Sequence, residues 1–521
     1  MSAASGPLLF EGGDWSFDLL KRIFDAVERI ALEDLKLDTY PNQIEVITAE
    51  QMLDAYSSTG MPLFYKHWSF GKQFLSNEML YRKGMTGLAY ELVINSSPCI
   101  SYVMEENSAM MQTLVIAHAA FGHNHFFKNN YLFKQWTDAE GILDYLEFAR
   151  NYITSCEERY GQNQVERLLD AAHALMRQGV HRYPRAQARD LKMEAQRENE
   201  RHAHQERVYD DLWRTMPKAP KQASTPAGDR RKALNLPQEN ILYFLEKSAP
   251  RLQAWQREIL RIIRLIAQYF YPQMQTKVMN EGTATYVHYR IMTMLHERGQ
   301  LGDGAFMEFL QSHTNVCHQP TFDSGHYGGI NPYALGFGMM QDIAGICVDP
   351  TAEDREWFPD IAGKGDPDGV LKHIWANYRD ESFVAQFLSP RLIRAWKLFK
   401  LTDHQQDPAL KVDAIHNERG YRNIRRALGR HYDIDDLDIG FLPADVEIVD
   451  VDLTGDRRLM LEHHVTNGVR LAEGDTAKVL QHLANLWGYE VCLDELEREG
   501  GKSLKRHSVK PQGSGLGETA A

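Results

Sequence analysis

Apolar positions recur at helical spacing along most of the chain. Phe17, Leu20, Ile23, Phe24, Val27 and Ile30 form one stripe within residues 15–36, separated by charged groups. Ser108 to Phe127 reads as a single long helix. Further helices are predicted near 138–160, 163–178, 186–215, 237–271 and 274–297. The last of these stops at Gly299, a suitable C-cap after His296-Glu297-Arg298. Strand signals are rarer. Ile44–Ile47 and Leu92–Ile94 read as short strands, the second ending at the turn Asn95-Ser96-Ser97-Pro98.

Residues 318–370 are rich in Gly, Pro and Asp and read as loops, with helices resuming at 370–402. The texture changes near 403–412. Asp413–Tyr432 looks helical, Val446–Leu453 and Arg458–His464 look like strands, Asp475–Trp487 helical, and Tyr489–Leu493 a final strand. The expected fold is therefore mainly α, a multi-helix core with short strands and a small α+β C-terminal module. The expected organisation is a histidine-bearing helical core over 1–184, a charged insert and linker over 185–236, and a second helical core over 237–402. The α+β module follows over 403–500, and a disordered tail over 501–521.

Charge narrows the function classes. The chain has 58 basic and 71 acidic residues, a formal charge of −13. That excess argues against a nucleic-acid partner or an anionic membrane surface, which need Lys and Arg. Five scattered cysteines, Cys99, Cys156, Cys317, Cys347 and Cys492, form no CxxC pair. They predict neither a disulfide framework nor a thiolate zinc site, and they suit a reducing cytoplasm. The N-terminus shows no signal peptide, and no apolar run is long enough for a transmembrane segment.

Two helices carry the candidate chemistry. Met274, Val278, Glu281, Thr285, His288, Met292 and Leu295 advance by alternating steps of four and three, so they share one stripe. Met110, Leu114, Ala117, His118, Phe121 and His125 share a stripe on the other helix, with His118 and His125 seven apart. His123 points elsewhere on an ideal helix, although Gly122 or a local bulge could re-aim it. A carboxylate inside an apolar stripe is costly unless paired or metal-bound. Imidazoles and a carboxylate on facing helices are donors that zinc, iron or manganese accept. His118, His123, His125, Glu281 and His288 are the candidate metal ligands, with His288 and Glu281 as candidate catalytic groups. The alternative is an internal Glu–His hydrogen-bonded pair among satisfied core histidines. No HExxH, HxxEH or paired ExxH motif occurs, and GxSxG is absent. Glu106, Asn129, His67 and His326 are further pocket candidates. Their plainer readings are a first-turn carboxylate, a helix C-cap, a member of an aromatic core run, and part of a Gly-rich lid or loop.

The segments HAAFGHNHFFKNN (118–130), QREILRIIRLIAQYFYPQMQTKVMNEGTATYVHY (256–289) and GGINPYALGFGMMQDI (328–343) resemble the hallmark blocks of the SpoVR family, named after stage V sporulation protein R. HWSFGKQF (67–74) and GLAYELVINSSP (87–98) resemble it too. The likeness covers most of residues 15–500 and is closer to the YcgB-like branch of Gram-negative bacteria than to the spore-former branch. Thr283 stands where the family usually has Trp, which alters pocket shape more than ligand chemistry. The resemblance implies a cytoplasmic protein linked to spore cortex formation in spore-formers, and to stress response and peptidoglycan upkeep elsewhere. It also implies company with a PrkA-type serine kinase and a von Willebrand-A-like protein. Its shared polar positions include His118, His123, His125, Asn129, Glu281 and His288.

Three functions compete on this basis. In the first, His118, His123 or His125, and Glu281 hold a zinc-like ion that activates water, and His288 or a carboxylate acts as base. In the second, the cluster is structural and the chain is a non-catalytic regulator that docks a partner through residues 405–500. In the third, the site is a redox-active di-metal oxidase.

Overall fold

The computed structural model describes residues 7–57, 65–82, 91–183, 234, 236–402, 411–432, 446–452, 455–465, 470–497 and 501–512. The charged insert and linker expected at 185–236 therefore falls almost wholly outside the described residues. The fold is mainly helical, with a small sheet module towards the C-terminus. Two compact units emerge, Met1–Gln162 with Tyr269–Leu437, and Asn163–Gln268 with Asp438–Ala521. They interleave along the chain, so they do not coincide with the consecutive segments drawn from composition.

The first unit carries the candidate ligands. Its opening helix, Phe17–Arg29, is capped by Ser16 and buries Leu19, Leu20, Ile23, Ala26 and Val27. Three strands follow: β1 (Asn42–Ile47), β2 (Glu91–Ile94) and β3 (Cys99–Met104). β3 is central, parallel to β1 and antiparallel to β2. From β3 the chain enters the histidine helix, where Ser108 accepts a hydrogen bond from the Met111 amide. This helix is regular over Ala109–Ile116, widens to a π-helical turn over Ala117–His123, and is regular again over Asn124–Asn129.

The glutamate helix spans Lys277–Glu297. Asp380 anchors its start by accepting from the amides of Val278 and Met279 at 2.7 and 2.8 Å. Gly299, at φ +70°, ends it as expected. Met274, placed on the same stripe by spacing, belongs instead to the preceding helix, Ala254–Gln275. The helix is buried around most of its circumference near the N-terminal end, well beyond a single stripe.

The segment 318–370 departs most from expectation. Pro332–Val348 is a helix, capped by Asn331 with Pro332 in the first turn, and it is largely buried. Its glycines read as loop signals, yet they serve close packing. A Cβ on Gly282 would lie 2.6 Å from Gly336 Cα, and a Cβ on Gly336 would lie 2.7 Å from Gly282 Cα. A Cβ on Gly122 would lie 2.5 Å from Ala284 Cα. The glutamate helix thus touches the histidine helix and the glycine-rich helix backbone to backbone. Beyond it, 367–395 breaks into Pro367–Asn377, Asp380–Phe387 and Pro390–Ala395, each opened by a capping residue or proline. The unit also contains the hairpin β4 (Lys400–Thr402) and β5 (Lys411–Ala414) and the helix Glu418–His431.

In the second unit, β6 (Glu447–Val451), β7 (Leu459–Val465), β8 (Val491–Glu497) and β9 (Ser503–Val509) form a sheet in that order. β7 and β8 are parallel, joined through the helix Glu473–Trp487, while the flanking pairs are antiparallel. Ser503–Val509 corrects the expectation of a disordered tail from residue 501. Two consecutive positions along β9 meet acidic partners on β8, with Arg506 forked onto Asp494 at 2.6 Å and His507 on Glu495 at 2.8 Å. Residues 513–521 lie outside the described residues.

The glycine contacts yield a direct test. Gly336→Ala should lower stability by about 1–3 kcal/mol, because backbone atoms oppose the new methyl and cannot rotate away. Gly304→Ala, within a helix and with nothing within 4 Å of the added carbon, should be neutral or stabilise by up to about 1 kcal/mol. Denaturant unfolding of both variants measures the contrast.

Candidate metal centre

The wide turn explains how two histidines five positions apart meet. Bonding from i to i+5 stacks residues that an ordinary α-helix would splay. The His118 and His123 rings lie edge to face with centroids 4.6 Å apart. The glutamate helix crosses just above them at Gly122 and Ala284, and so delivers Glu281 to the same place. β2, antiparallel to the strand that feeds the histidine helix, supplies a fourth group, Glu91.

The donor atoms converge. His118 Nε2 lies 3.3 Å from Glu91 Oε1 and 3.8 Å from Glu281 Oε2. His123 Nε2 lies 3.6 Å from the same Glu281 oxygen. Glu91, His118 and His123 each offer a ligand atom within 4.8 Å of the other two. A tetrahedral ion with bonds of ~2.0–2.1 Å would have donor separations of about 3.3 Å. Glu281 Oε2 is buried without a hydrogen bond of ordinary length and faces both imidazole Nε2 atoms, so an imidazolium or a metal cation beside it would be stabilised. The residues present therefore fit a divalent ion. The carboxylate side chains keep 20% and 18% exposure against 5% and 8% for the imidazoles, so the centre opens to solvent on the carboxylate side.

Neighbouring groups set the donor states. His123 Nδ1 donates to Asn280 Oδ1 at 2.9 Å, which leaves the Nε2 lone pair facing the centre. Burial pushes His123 down to about 4 against the pull of Glu281, so the ring is neutral at pH 7. Burial also pulls His118 down, but Glu91 and Glu281 outweigh it and hold the ring above its ordinary value. Glu281 is driven up by burial, yet His123, His118 and a hydrogen bond from Tyr333 hold it below the usual carboxylate range. Burial lifts Glu91 to about 7, opposed by His118 and reinforced by Glu281.

Other expected site residues lie elsewhere. His288 is behind the centre, its Nδ1 2.9 Å from His118 Nδ1, so it backs a donor without facing the cluster. His125 is turned away, a correction with a simple cause. The wide turn resets the helical phase, and two further residues rotate His125 about 200° from His123. Its Nδ1 accepts from the Asp38 amide at 3.0 Å, and its ring meets Trp375 edge on. Asn129 donates to the carbonyls of Asp38 and His125. Exposed Glu106 accepts from the Ala49 amide at the start of helix Ala49–Ser57. His67 bonds Ser69 and packs on Trp68 and Phe70, and His326 sits exposed in its loop. Glu91 was missed because a single acid at the head of Leu92–Ile94 looks like a strand entrance, and only the sheet topology brings it to the histidines.

With the geometry in place, comparison with known proteins is decisive. Residues 14–437 match the family described as SpoVR like protein, and residues 444–498 match the SpoVR-like C-terminal domain. The chain belongs to the SpoVR family. Among SpoVR relatives it is 51% identical to the uncharacterized protein YcgB of Escherichia coli (strain K12), over 95% of each chain. No solved structure matches it. No helix among the described residues of this SpoVR protein is long and apolar enough to cross a membrane.

His125 gives a pH prediction free of the centre's own donors. Burial lowers its value from 6.5 to about 4, against hydrogen bonding at Asp38. Between those values the unfolded chain takes up a proton that the folded chain refuses, so this residue's contribution to stability is lost as pH falls from 6.5 to 4. Wild type should lose up to roughly 3 kcal/mol more than His125→Asn across that window. Urea unfolding at pH 4.5 and 7 compares the two slopes.

Proposed function

We propose that this SpoVR-family chain is a metal-dependent hydrolase of cell-envelope material, with its centre at Glu91, His118, His123 and Glu281. The observation that carries the reading is the bondless buried Glu281 Oε2 facing two imidazole nitrogens at donor spacing. The envelope context, peptidoglycan upkeep of the cortex type, comes from the family resemblance. His118, His123 and Glu281 would hold the ion, zinc suiting two imidazoles and a carboxylate. A divalent ion there supplies Lewis-acid activation of water or of a substrate carbonyl. Asn280 keeps the His123 lone pair aimed inward, and Tyr333 holds the Glu281 carboxylate. Glu91 Oε1, on the open side, is placed to accept a proton from an incoming nucleophile.

Elemental analysis of the purified protein should find about one divalent ion per chain, lost in Glu281→Ala and His118→Ala. A metal-free wild type of unaltered stability would end the reading. Metal-loaded wild type should release soluble fragments from isolated sacculi, and Glu281→Ala should not. Intact sacculi despite stoichiometric metal would favour the non-catalytic regulator working through a kinase or other partner.

A further inference from the structure

Behind the centre, a chain of rings leads away from it. His118 Nδ1 lies 2.9 Å from His288 Nδ1, and His288 Nε2 lies 3.0 Å from His313 Nδ1. His313 Nε2 then stands 3.9 Å from Cys317 Sγ. The three rings are 4%, 3% and 8% exposed. Aromatic side chains wall the outer two: Phe309 touches both, while Tyr289 and Phe337 pack on His313. Water is thus kept from the ring nitrogens, and the rings bond to one another.

Hydrogen counting restricts this arrangement. A neutral imidazole has one N–H and one lone pair, and each ring-to-ring contact needs one of each. A neutral His288 can therefore donate in only one direction. If His118 Nδ1 donates inward to His288 Nδ1, His288 must donate onward from Nε2 to His313 Nδ1. His313 then places its own hydrogen on Nε2, towards Cys317. Only this polarity leaves the His118 Nε2 lone pair free for a ligand at the centre. The reverse polarity puts the His118 hydrogen on Nε2, where it would be given to Glu91 or Glu281 and close that nitrogen to a ligand.

We propose that His313 is a positioning residue, which accepts from His288 Nε2 and thereby fixes which nitrogen of His118 is offered to the centre. This rests on the metal-centre reading for its purpose, though the ring-to-ring contacts exist without an ion. What it fixes is the seat of the hydrogen on His288 and His313. Metal-ligating histidines are commonly oriented by such a partner on the far nitrogen, and its loss weakens metal binding 10–100-fold. Here the orienting group is itself oriented one ring further out, on a third helix, Asp303–Val316.

The test uses full-length protein with ring-15N-labelled histidine. Two-bond 1H–15N spectra, assigned by single substitutions, report which nitrogen of His288 and of His313 carries hydrogen. Wild type should show both protonated at Nε2, with and without zinc. His313→Phe keeps an aromatic filler but removes the acceptor. It should shift His288 towards hydrogen on Nδ1 and weaken zinc binding by about tenfold or more. His313→Asn returns an acceptor at the Nδ1 position and should restore both. Identical His288 patterns in all three proteins, or His288 protonated at Nδ1 in wild type, would overturn the proposal. Zinc that leaves the His118 and His123 signals untouched in wild type would instead defeat the metal reading. The zinc-free comparison of the three proteins would still decide the role of His313.

Discussion

Two backbone-to-backbone crossings hold the rest of the first unit in place. Gly282 meets Gly336, and Gly122 meets Ala284, at separations that leave no room for a methyl group. Side chains usually set the spacing between helices, so their removal here brings three helices unusually close. Glu281 is the residue before Gly282, and His123 the residue after Gly122. Glu281 and His123 therefore sit beside the points where the helices pack most closely. A metal centre needs its first ligands held to within a fraction of an ångström, and rigid crossings do this better than loops. The same closeness explains why the glutamate helix is buried around most of its N-terminal portion and why it can carry polar groups at all. Some of the buried polar side chains there have a partner at hand, as Asn280 has His123 and His288 has both His118 and His313.

Much of this was legible in the chain. The mainly helical fold and the C-terminal mixture of strands and helix follow from periodicity, because long amphipathic stretches and short alternating runs have different repeats. Glu281 and His118 stand out in their stripes because an ionisable group amid Val278, Leu114 and Phe121 is costly to bury. His123 needed the bulge that Gly122 invites, and His125 was drawn in by assuming a straight helix. Dihedral phase across a widened turn is invisible in a residue pattern. Glu91 and His313 were out of reach for another reason. Each lies on a separate element whose own sequence reads as ordinary strand or helix, and only tertiary placement gives it a partner.

Glycine misled in an instructive way. In Gly-Gly-Ile-Asn-Pro-Tyr-Ala-Leu-Gly-Phe-Gly, frequent glycine and proline suggest turns, and Gly329 at φ +100° does lie at a bend. Two residues later Asn331 and Pro332 form a helix start, and from there glycine marks close approach instead of chain reversal. The cue that separates the two uses is the cap followed by an uninterrupted apolar run.

The last strand of the second unit has a practical corollary. The recognised C-terminal domain ends at residue 498, five residues before β9 begins. A fragment trimmed to that boundary would strip the outer edge of β8 and leave its amides and carbonyls open to other chains. It would also take Arg506 from Asp494 and His507 from Glu495, carboxylates on residues that are 8% and 1% exposed, leaving Glu495 only Arg470 and the Leu471 amide. Unguarded edges of this kind seed self-association, so an expression boundary beyond residue 509 is the one that preserves a soluble sheet.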